Sequence, residues 1–524
     1  MAKRMHTLAV TAALLGGVAL TAGAAETLRI GWAQTDITPS EPVYLSGQFN
    51  ARVSEGVMDP ITATALAFES AREDEPTSMV LVSCDLICIQ GDLRDAVRAH
   101  LRRDVPDLDP MAVLISGTHT HSGPLATTHQ RHHPVPKPVG NIYGVDLGAM
   151  APADYAAFAA ERIAKAVTEA WKGRAPGGIA FGLGQAVVGR NRLTAYRDGR
   201  SQMYGPVNHP DFSHIEGFED PSLYVLATYT QDGQLTGLVL NLACPSQVSE
   251  TSMKVSADFW HETRVELRRR YGEGLFVLPQ NAPAGDQSPH LHGNECRSPG
   301  RAAGRENPEV RMWRLAGRTQ REEIAVRIAD AVAKIRPLIE QEIDWDPILA
   351  HRVETVELPR RKIPESDAEQ ARAEAVKYRK VYEKLMADRE ANPDLLHDGR
   401  WIVKTTVAYR RMRWNERVAE RFELQQTHPM LPIEVHVARL GDLAFASNPF
   451  ELYLDYGMQI QARTRSVQTF LIQLTGPGSY VPTERSVAGG AYGAVPASTE
   501  VGPEGGRILA DWTVQAVNAF WEKQ

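Results

Sequence analysis

The chain has 524 residues, of which 43% are hydrophobic and 23% charged, and its formal net charge is −7. This composition is typical of a globular protein with a buried core, and the length predicts one large elaborated domain or two domains. The negative charge and the scattered basic residues give no reason to expect a nucleic-acid partner.

The N-terminus has the features of an export signal. Lys3 and Arg4 precede an apolar run over residues 8–20, which small residues follow. This order predicts a cleavable signal peptide over residues 1–25, and the apolar run is too short for a membrane span. We therefore expect a secreted or periplasmic protein whose residues 26–524 form a single catalytic domain.

The remaining chain mixes strand and helix patterns. Residues 28–32, 61–69 and 78–89 are predicted strands, and the last of these contains Cys84 and Cys88. Further strands are predicted at 178–188, 223–230, 235–243, 275–278, 433–446 and 469–474, and helices at 92–103, 152–172, 257–270, 312–340, 366–390, 451–463 and 508–521. The charged helix 366–390 suggests an exposed helical insertion over about residues 360–425, although the pattern of residues 401–425 is ambiguous. Such a mixture predicts an α/β or α+β fold.

The stretch MAVLISGTHTHSGP over residues 111–124 suggests a functional site. Its apolar half predicts a buried strand that delivers His119 and His121 at its end. Residues two apart share a side while the chain stays extended, so we expect both imidazoles to face one cavity. Histidines in such a position suit metal binding or proton transfer.

Other polar residues also follow predicted strands or lie in small-residue loops, namely Arg192, Cys244, Ser288, Glu451 and Tyr480. Each has an ordinary structural explanation. Cys244 would be a small buried hydrophobe, Ser288 a turn residue, and Glu451 a residue of the first turn of a helix. Taken one at a time, these explanations are the better ones.

As an ordered series, however, the motifs resemble the neutral, non-lysosomal ceramidase family over most of the mature chain. The matching pieces are DITP, SGTHTHSGP, Asn191-Arg192, DPSLYVLATY, LVLNLACP, SADF, AGDQSP, PFEL and GSYVPTERSVAGGAYG. The resemblance implies a layered α/β/β/α sandwich with mixed sheets, carrying zinc in an amide-hydrolysing site. The family's C-terminal immunoglobulin-like domain is expected to be absent.

The resemblance also implies residue roles. His119, Glu451 and Tyr480 would be zinc ligands, whereas His121, Arg192 and Tyr492 would surround the substrate carbonyl and its developing oxyanion. Ser288 matches a serine that has been discussed as a nucleophile, and we expect it to have a supporting role, since a metal-activated water is a sufficient attacker.

One position departs from the family pattern. Cys244, in Cys-Pro-Ser, stands where the family has a histidine ligand in His-Pro-Thr. A thiolate is a legitimate zinc ligand, so Cys244 is a candidate fourth ligand. The alternatives are that Gln247, Glu250 or His261 takes its place, or that no metal binds. We expect the metal to be retained.

The sequence therefore predicts an exported, zinc-dependent hydrolase that cleaves an amide bond in ceramide or another N-acyl compound. A first alternative is a metal-independent glycan hydrolase that uses two of the carboxylates of Glu250, Asp258, Asp286 and Glu451 as acid and base. A second is a binding protein without catalytic activity. The partner would be a small molecule, a lipid or a glycan, and the sequence does not define an oligomeric state.

Overall fold

The computed structural model describes residues 28–70, 76–127, 142–292 and 307–522. The predicted signal peptide, Cys296 and most of the loop between residues 127 and 143 lie outside the described residues. The α-helices are α1 Gly91–Asp104, α2 Pro152–Lys172, α3 Phe259–Tyr271, α4 Pro308–Leu315, α5 Gln320–Ile339, α6 Glu365–Ala391, α7 Gly399–Thr427, α8 Leu454–Arg463, α9 Glu484–Gly489 and α10 Pro503–Asn518. None of them combines the length and apolar character needed to cross a bilayer.

The described chain also contains short and long strands, several of them consecutive in sequence. They are β1 Leu28–Asp36, β2 Thr62–Ser70, β3 Thr77–Cys84, β4 Val113–Gly117, β5 Ala175–Gln185, β6 Arg190–Asn191, β7 Leu193–Tyr196, β8 Ser201–Met203, β9 Phe212–Ile215, β10 Ser222–Thr230, β11 Leu235–Leu242, β12 Phe276–Asn281, β13 Gln287–Ser288, β14 Leu349–Pro359, β15 Met430–Leu440, β16 Leu443–Ser447, β17 Glu451–Leu452, β18 Gln468–Ile472 and β19 Tyr480–Val481.

Two mixed sheets form the centre of the fold. The larger has eight strands in the order β12-β11-β10-β5-β1-β2-β3-β4, and the smaller has four in the order β14-β15-β16-β18. The pairs β3–β4, β11–β12 and β16–β18 are parallel. The predicted hairpin of β10 and β11 is present, and its strands pair antiparallel.

Strand β2 shows how the sequence builds the layers. Its small residues Ala63, Ala65 and Ala67 point to one face, where they pack with α1 and α2. The alternate residues Leu66 and Phe68 point to the other face and pack against the smaller sheet. Because side chains alternate across a strand, the small residues let the helices approach closely while the large ones fill the space between sheets.

The same arrangement continues on both sides. Helices α3 and α5 cover β10 and β11 of the larger sheet, and α8 and α10 cover the outer face of the smaller sheet. The result is an α/β/β/α sandwich with mixed sheets, which confirms the predicted fold class.

Helices α6 and α7 form a long antiparallel pair that lies outside these four layers. Ion pairs join them, including Arg379 with Glu416 and Arg372 with Glu423. Their apolar seam is small, since Ala368, Ala371 and Val418 are among its few buried residues. Helix α6 lies where the charged helix was predicted, and α7 resolves the ambiguous segment as a helix.

One predicted strand ends early. Strand β3 stops at Cys84, and the chain bends over residues 85–87, so Cys88 is not in the strand. Asp85 explains the bend, because its carboxylate accepts hydrogen bonds from the Thr62 backbone and from the Arg264 guanidinium.

Candidate functional site

Several of the predicted site residues lie in segments that directly follow strands of the two central sheets. His119 and His121 follow β4, while Glu451 follows β16 and Tyr480 follows β18. Because β4 is parallel to β3 and β16 is parallel to β18, these segments leave the carboxyl ends of neighbouring strands. Ligand sites of open α/β sheets commonly lie at such ends.

His119 is held in an unusual backbone conformation. Its φ is 61°, in the left-handed region, and its Nδ1 lies 2.7 Å from the carbonyl oxygen of Ile87. In that contact Nδ1–H donates to the carbonyl oxygen, and the other ring nitrogen, Nε2, is directed at Oε2 of Glu451, 3.4 Å away. A non-glycine residue at positive φ costs about 1–3 kcal/mol, so the surrounding structure must enforce this orientation.

The expected reason for the convergence of the two histidines was wrong. Strand β4 ends at Gly117 and the chain is not extended at His119, so strand alternation does not place them. Instead, the chain changes direction at His119, and this places the two rings 5.0 Å apart between centroids with an interplanar angle of 81°.

His121 is mostly, not fully, buried and lies beside a second carboxylate. Its Nδ1 lies 3.2 Å from Oε2 of Glu250, whose other oxygen lies 2.7 Å from Nε2 of His290. Among the described residues, neither ring nitrogen of His121 has a hydrogen-bond partner in suitable geometry. Burial and the neighbouring His119 lower the pKa of His121 well below its usual value, so the ring is neutral at pH 7.

Glu451 and Tyr480 face each other across the short parallel pair of β17 and β19. A Cβ at Gly478 would lie only 1.8 Å from the carbonyl oxygen of Pro449, so this close approach requires glycine. Burial alone raises the pKa of Glu451, but His119, Arg192 and a hydrogen bond from Tyr480 outweigh it and lower the value to about 2. Glu451 is therefore a strand-end carboxylate and not the first-turn helix residue of the ordinary explanation.

Arg192 lies directly behind Tyr480. Its guanidinium donates to the Tyr480 hydroxyl at 3.1 Å and to the carbonyl oxygen of Gly285 at 2.8 Å. Burial alone lowers the pKa of Arg192, but the phenols and Glu451 raise it well above its usual value. The site therefore contains a buried, fixed positive charge next to the Glu451 carboxylate.

Ser288 belongs to a neighbouring buried network. Its Oγ accepts hydrogen bonds from the Tyr204 hydroxyl at 3.0 Å and from Gln247 Nε2 at 3.2 Å. Because Gln247 also donates to Tyr204, the three side chains hold one another. Ser288 is not among the described residues that line the cavity below.

Cys244 lies elsewhere. It packs in the apolar cluster that β10 and β11 form with α3 and α5, and its Sγ donates to the carbonyl oxygen of Pro245 at 3.4 Å. Burial and the nearby Asp258 raise the pKa of its thiol well above the usual value. Cys244 is also not among the described residues lining the cavity, so its surroundings match the ordinary explanation of a small buried hydrophobe.

The site residues open into a cavity of about 240 Å³ with two walls of different origin. The sheet-end wall consists of His119, His121, Glu451 and Tyr480. The α7 wall consists of Arg410, Trp414, Arg417 and Arg421.

Aromatic rings connect the two walls. Tyr492 lies 5.9 Å from the Tyr480 ring and stacks on Trp414 at 6.0 Å. Phe49 contacts both Trp414 and Tyr492 edge-on. Sequence reasoning missed Phe49 and the whole α7 wall, although Arg410, Trp414, Arg417 and Arg421 recur at the spacing of one helix face.

The donor atoms fit a zinc ion in part. An imidazole nitrogen of His119, the Glu451 carboxylate and the Tyr480 phenol converge, and the ring of His121 lies beside them. A catalytic zinc commonly has three protein ligands and an open position. Within the described ranges, no group of three or more His, Cys, Asp and Glu side chains is close enough to hold a metal, so a site here depends on Tyr480.

The carboxylates of the glycan-hydrolase alternative are dispersed. Asp258 caps α3 and accepts hydrogen bonds from the backbone of Val248, Ser249 and Phe259. Asp286 accepts from Asn191 and from the Leu454 backbone, and burial raises its pKa to about 6. Of the four candidates, Glu451 lines the cavity, and the two aspartates serve to hold loops.

Comparison with known proteins agrees with this architecture. A scan against protein-family models and a search of curated proteins found no match. Among solved structures, neutral ceramidase from Pseudomonas aeruginosa is similar, with a TM-score of 0.62 and 18% identity over 95% of this chain and 75% of that one. A ceramidase complexed with C2 gives a TM-score of 0.61 and 17% identity, covering 95% and 76% of the two chains. At this identity the likeness establishes a ceramidase-like fold.

Proposed function

We propose that the protein is an exported hydrolase that cleaves the amide bond of an N-acylated compound in the cavity between the sheet-end wall and the α7 wall. The observation that carries the proposal is the convergence of His119, Glu451 and Tyr480 from segments far apart in the sequence, with Arg192 behind them. The ceramidase-like fold supports the same reaction type.

Hydrolysis requires the oxygen of a water molecule to bond to the amide carbonyl carbon. The C–N bond then breaks, the nitrogen takes up a proton, and a carboxylic acid and an amine result. His119, Glu451 and Tyr480 would hold a zinc ion, which when bound supplies Lewis acidity and activates a water molecule.

The other side chains would stabilise the reacting carbonyl. Arg192 is not among the described residues that line the cavity and would act through the Tyr480 hydroxyl, to which it donates, whereas His121 lines the cavity and would face the carbonyl directly. Donors that are preorganised where negative charge develops are worth roughly 2.7–4 kcal/mol each. Tyr492 lies between the two walls and would orient the substrate.

The test is hydrolysis of a panel of N-acyl compounds with different chain lengths and head groups, measured as released amine. We expect turnover that a chelator removes and zinc restores, and that Glu451→Gln lowers on the order of 10³-fold. Asp455→Asn is the control, since Asp455 pairs with the exposed Arg485. If no amide is cleaved, or if Glu451→Gln keeps full activity, the proposal is wrong. Chelator-insensitive release of sugar from glycans would instead support the carboxylate alternative.

A further inference from the structure

The α7 wall presents positive charge to the cavity. Positions 410, 414, 417 and 421 are three or four residues apart, so their side chains share one face of α7. Three of these four residues are arginines, and all four line the cavity. A neutral lipid amide gives no reason for such a face.

Glu451, Glu500 and Arg421, which also line the cavity, have partners within the protein. Glu451 lies among His119, Arg192 and Tyr480, and Glu500 pairs with Arg360 at 3.3 Å. The guanidinium of Arg421 donates to the carbonyl oxygens of Thr499 and Pro496. These groups are therefore committed to holding the loops around the site.

Arg410 differs from them. Its guanidinium lies over the rings of Tyr143 and Phe49, at 5.4 and 6.0 Å from their centroids. Within the described part of the chain, it forms no hydrogen bond or ion pair. Contacts with aromatic faces position a guanidinium without using its N–H donors, which remain able to bind an oxyanion in bidentate geometry.

Ring contacts connect Arg410 with the residues proposed to act on the amide bond. Phe49 contacts Arg410 on one side and Tyr492 on the other, and Tyr492 contacts Tyr480. Phe49, Tyr492 and Tyr480 therefore form a continuous row of aromatic rings between Arg410 and Glu451, along the cavity that all of them line. A cavity of about 240 Å³ is smaller than the roughly 300–1,000 Å³ typical of drug-sized ligands, so the enclosed part of the substrate is small.

We infer that Arg410 forms an anion-binding subsite, and that the substrate is an N-acyl compound carrying a carboxylate or a sulfonate that binds Arg410 while its amide lies at the sheet-end wall. This inference rests on the proposed function for the reaction, but the binding that it describes can be measured without turnover.

The experiment compares two matched probes, N-octanoylglycine and its neutral isostere N-octanoylglycinamide, by calorimetric titration of the full mature chain. We expect the wild type to bind the carboxylate roughly 10- to 100-fold more tightly, as for a charge-assisted hydrogen bond. Arg410→Gln should remove this preference, and Arg410→Lys should keep part of it. N-octanoyltaurine, with its sulfonate, distinguishes the two anions.

The matched control is Arg400→Gln, because Arg400 is an exposed arginine of the same helix that does not line the cavity. Unfolding temperatures report whether each variant is folded. Equal affinity of the wild type for both probes overturns the inference, and so does a preference that survives in folded Arg410→Gln. Selective binding without hydrolysis of any amide would support the subsite while contradicting the proposed reaction.

Discussion

The two walls of the cavity are built in different ways. In the sheet-end wall, short segments that follow strands hold the polar groups through specific contacts, such as that of His119 with the Ile87 carbonyl at 2.7 Å and that of Tyr480 with Arg192 at 3.1 Å. In the α7 wall, long side chains project from one helix whose packing depends on ion pairs and a small apolar seam. The rigid wall suits chemistry, and the helical wall suits substrate selection. Changes in the first should therefore lower kcat, and changes in the second should raise KM.

Among the changes that compare the two walls, the largest effect is expected at Arg192, which supports the sheet-end wall from behind Tyr480. Replacement by Gln removes a buried positive charge that donates to Tyr480 and Gly285, so we expect kcat to fall about 10²- to 10³-fold. Steady-state kinetics on the best amide of the panel measure this, with Arg190→Gln as control because Arg190 pairs with Glu309 outside the cavity. An increase in KM alone would show that Arg192 binds substrate and does not act in the transition state.

A pair of histidines outside both walls should make the folded protein less stable at low pH. This limits the pH range in which the activities of variants in the two walls can be compared. His351 stacks on the buried His436 in β14 and β15, with 3.1 Å between their nitrogens. Burial and the neighbouring His436 lower the pKa of His351 from 6.5 to about 3. The unfolded chain therefore binds a proton that the folded chain does not, and the stabilisation present above pH 6.5 is lost as the pH falls towards 3.

At about 1.4 kcal/mol per pH unit, the shifted pKa of His351 should lower the free energy of unfolding by about 2 kcal/mol between pH 6.5 and pH 5. Urea unfolding at pH 7 and pH 5 measures the loss, which His351→Gln should reduce and the exposed His397→Gln should leave unchanged. A His351→Gln variant with the wild-type pH dependence would contradict the assignment. Loss of activity at low pH is informative about the walls only where the protein remains folded.

A smaller effect is expected at Trp414. Its ring contacts Phe49 and Tyr492, and aromatic pairs of this kind contribute about 0.5–1.5 kcal/mol each. Trp414→Leu should therefore raise KM roughly 5- to 10-fold with little change in kcat. Val403→Ala, at an exposed position of the same helix, serves as the control. A fall in kcat without a change in KM would show that the division between the walls is incorrect.

The sequence predicted the layered architecture better than the cavity. Pro152 at the start of an alanine-rich pattern gave the bounds of α2, and the alternation of β10 and β11 gave their hairpin. Helix α7 was ambiguous because its hydrophobic residues do not form one continuous apolar face, so periodicity gave little signal. The positive φ of His119 arises from its contacts with residues 86 and 87, which single-sequence reasoning does not show.

The site was predicted as a set, and its members differ in placement. Of the residues that the motifs predicted, five line one cavity in the structure, namely His119, His121, Glu451, Tyr480 and Tyr492. Cys244 follows a strand like the others, but its segment turns the side chain into the apolar cluster beside α3. Position after a strand therefore predicts closeness to an edge of the sheet, whereas tertiary packing decides which side of that edge a side chain occupies.

The most direct test is the zinc content of three purified mature chains, the wild type, His119→Ala and Cys244→Ala, after dialysis against a weak chelator. Elemental analysis should find about one zinc per chain in the wild type and in Cys244→Ala, and almost none in folded His119→Ala. Cys244→Ala should lose only about 1 kcal/mol of stability, comparable with deletion of a buried methyl group. Loss of zinc in Cys244→Ala with retention in His119→Ala would contradict the convergence of His119, Glu451 and Tyr480 on one centre.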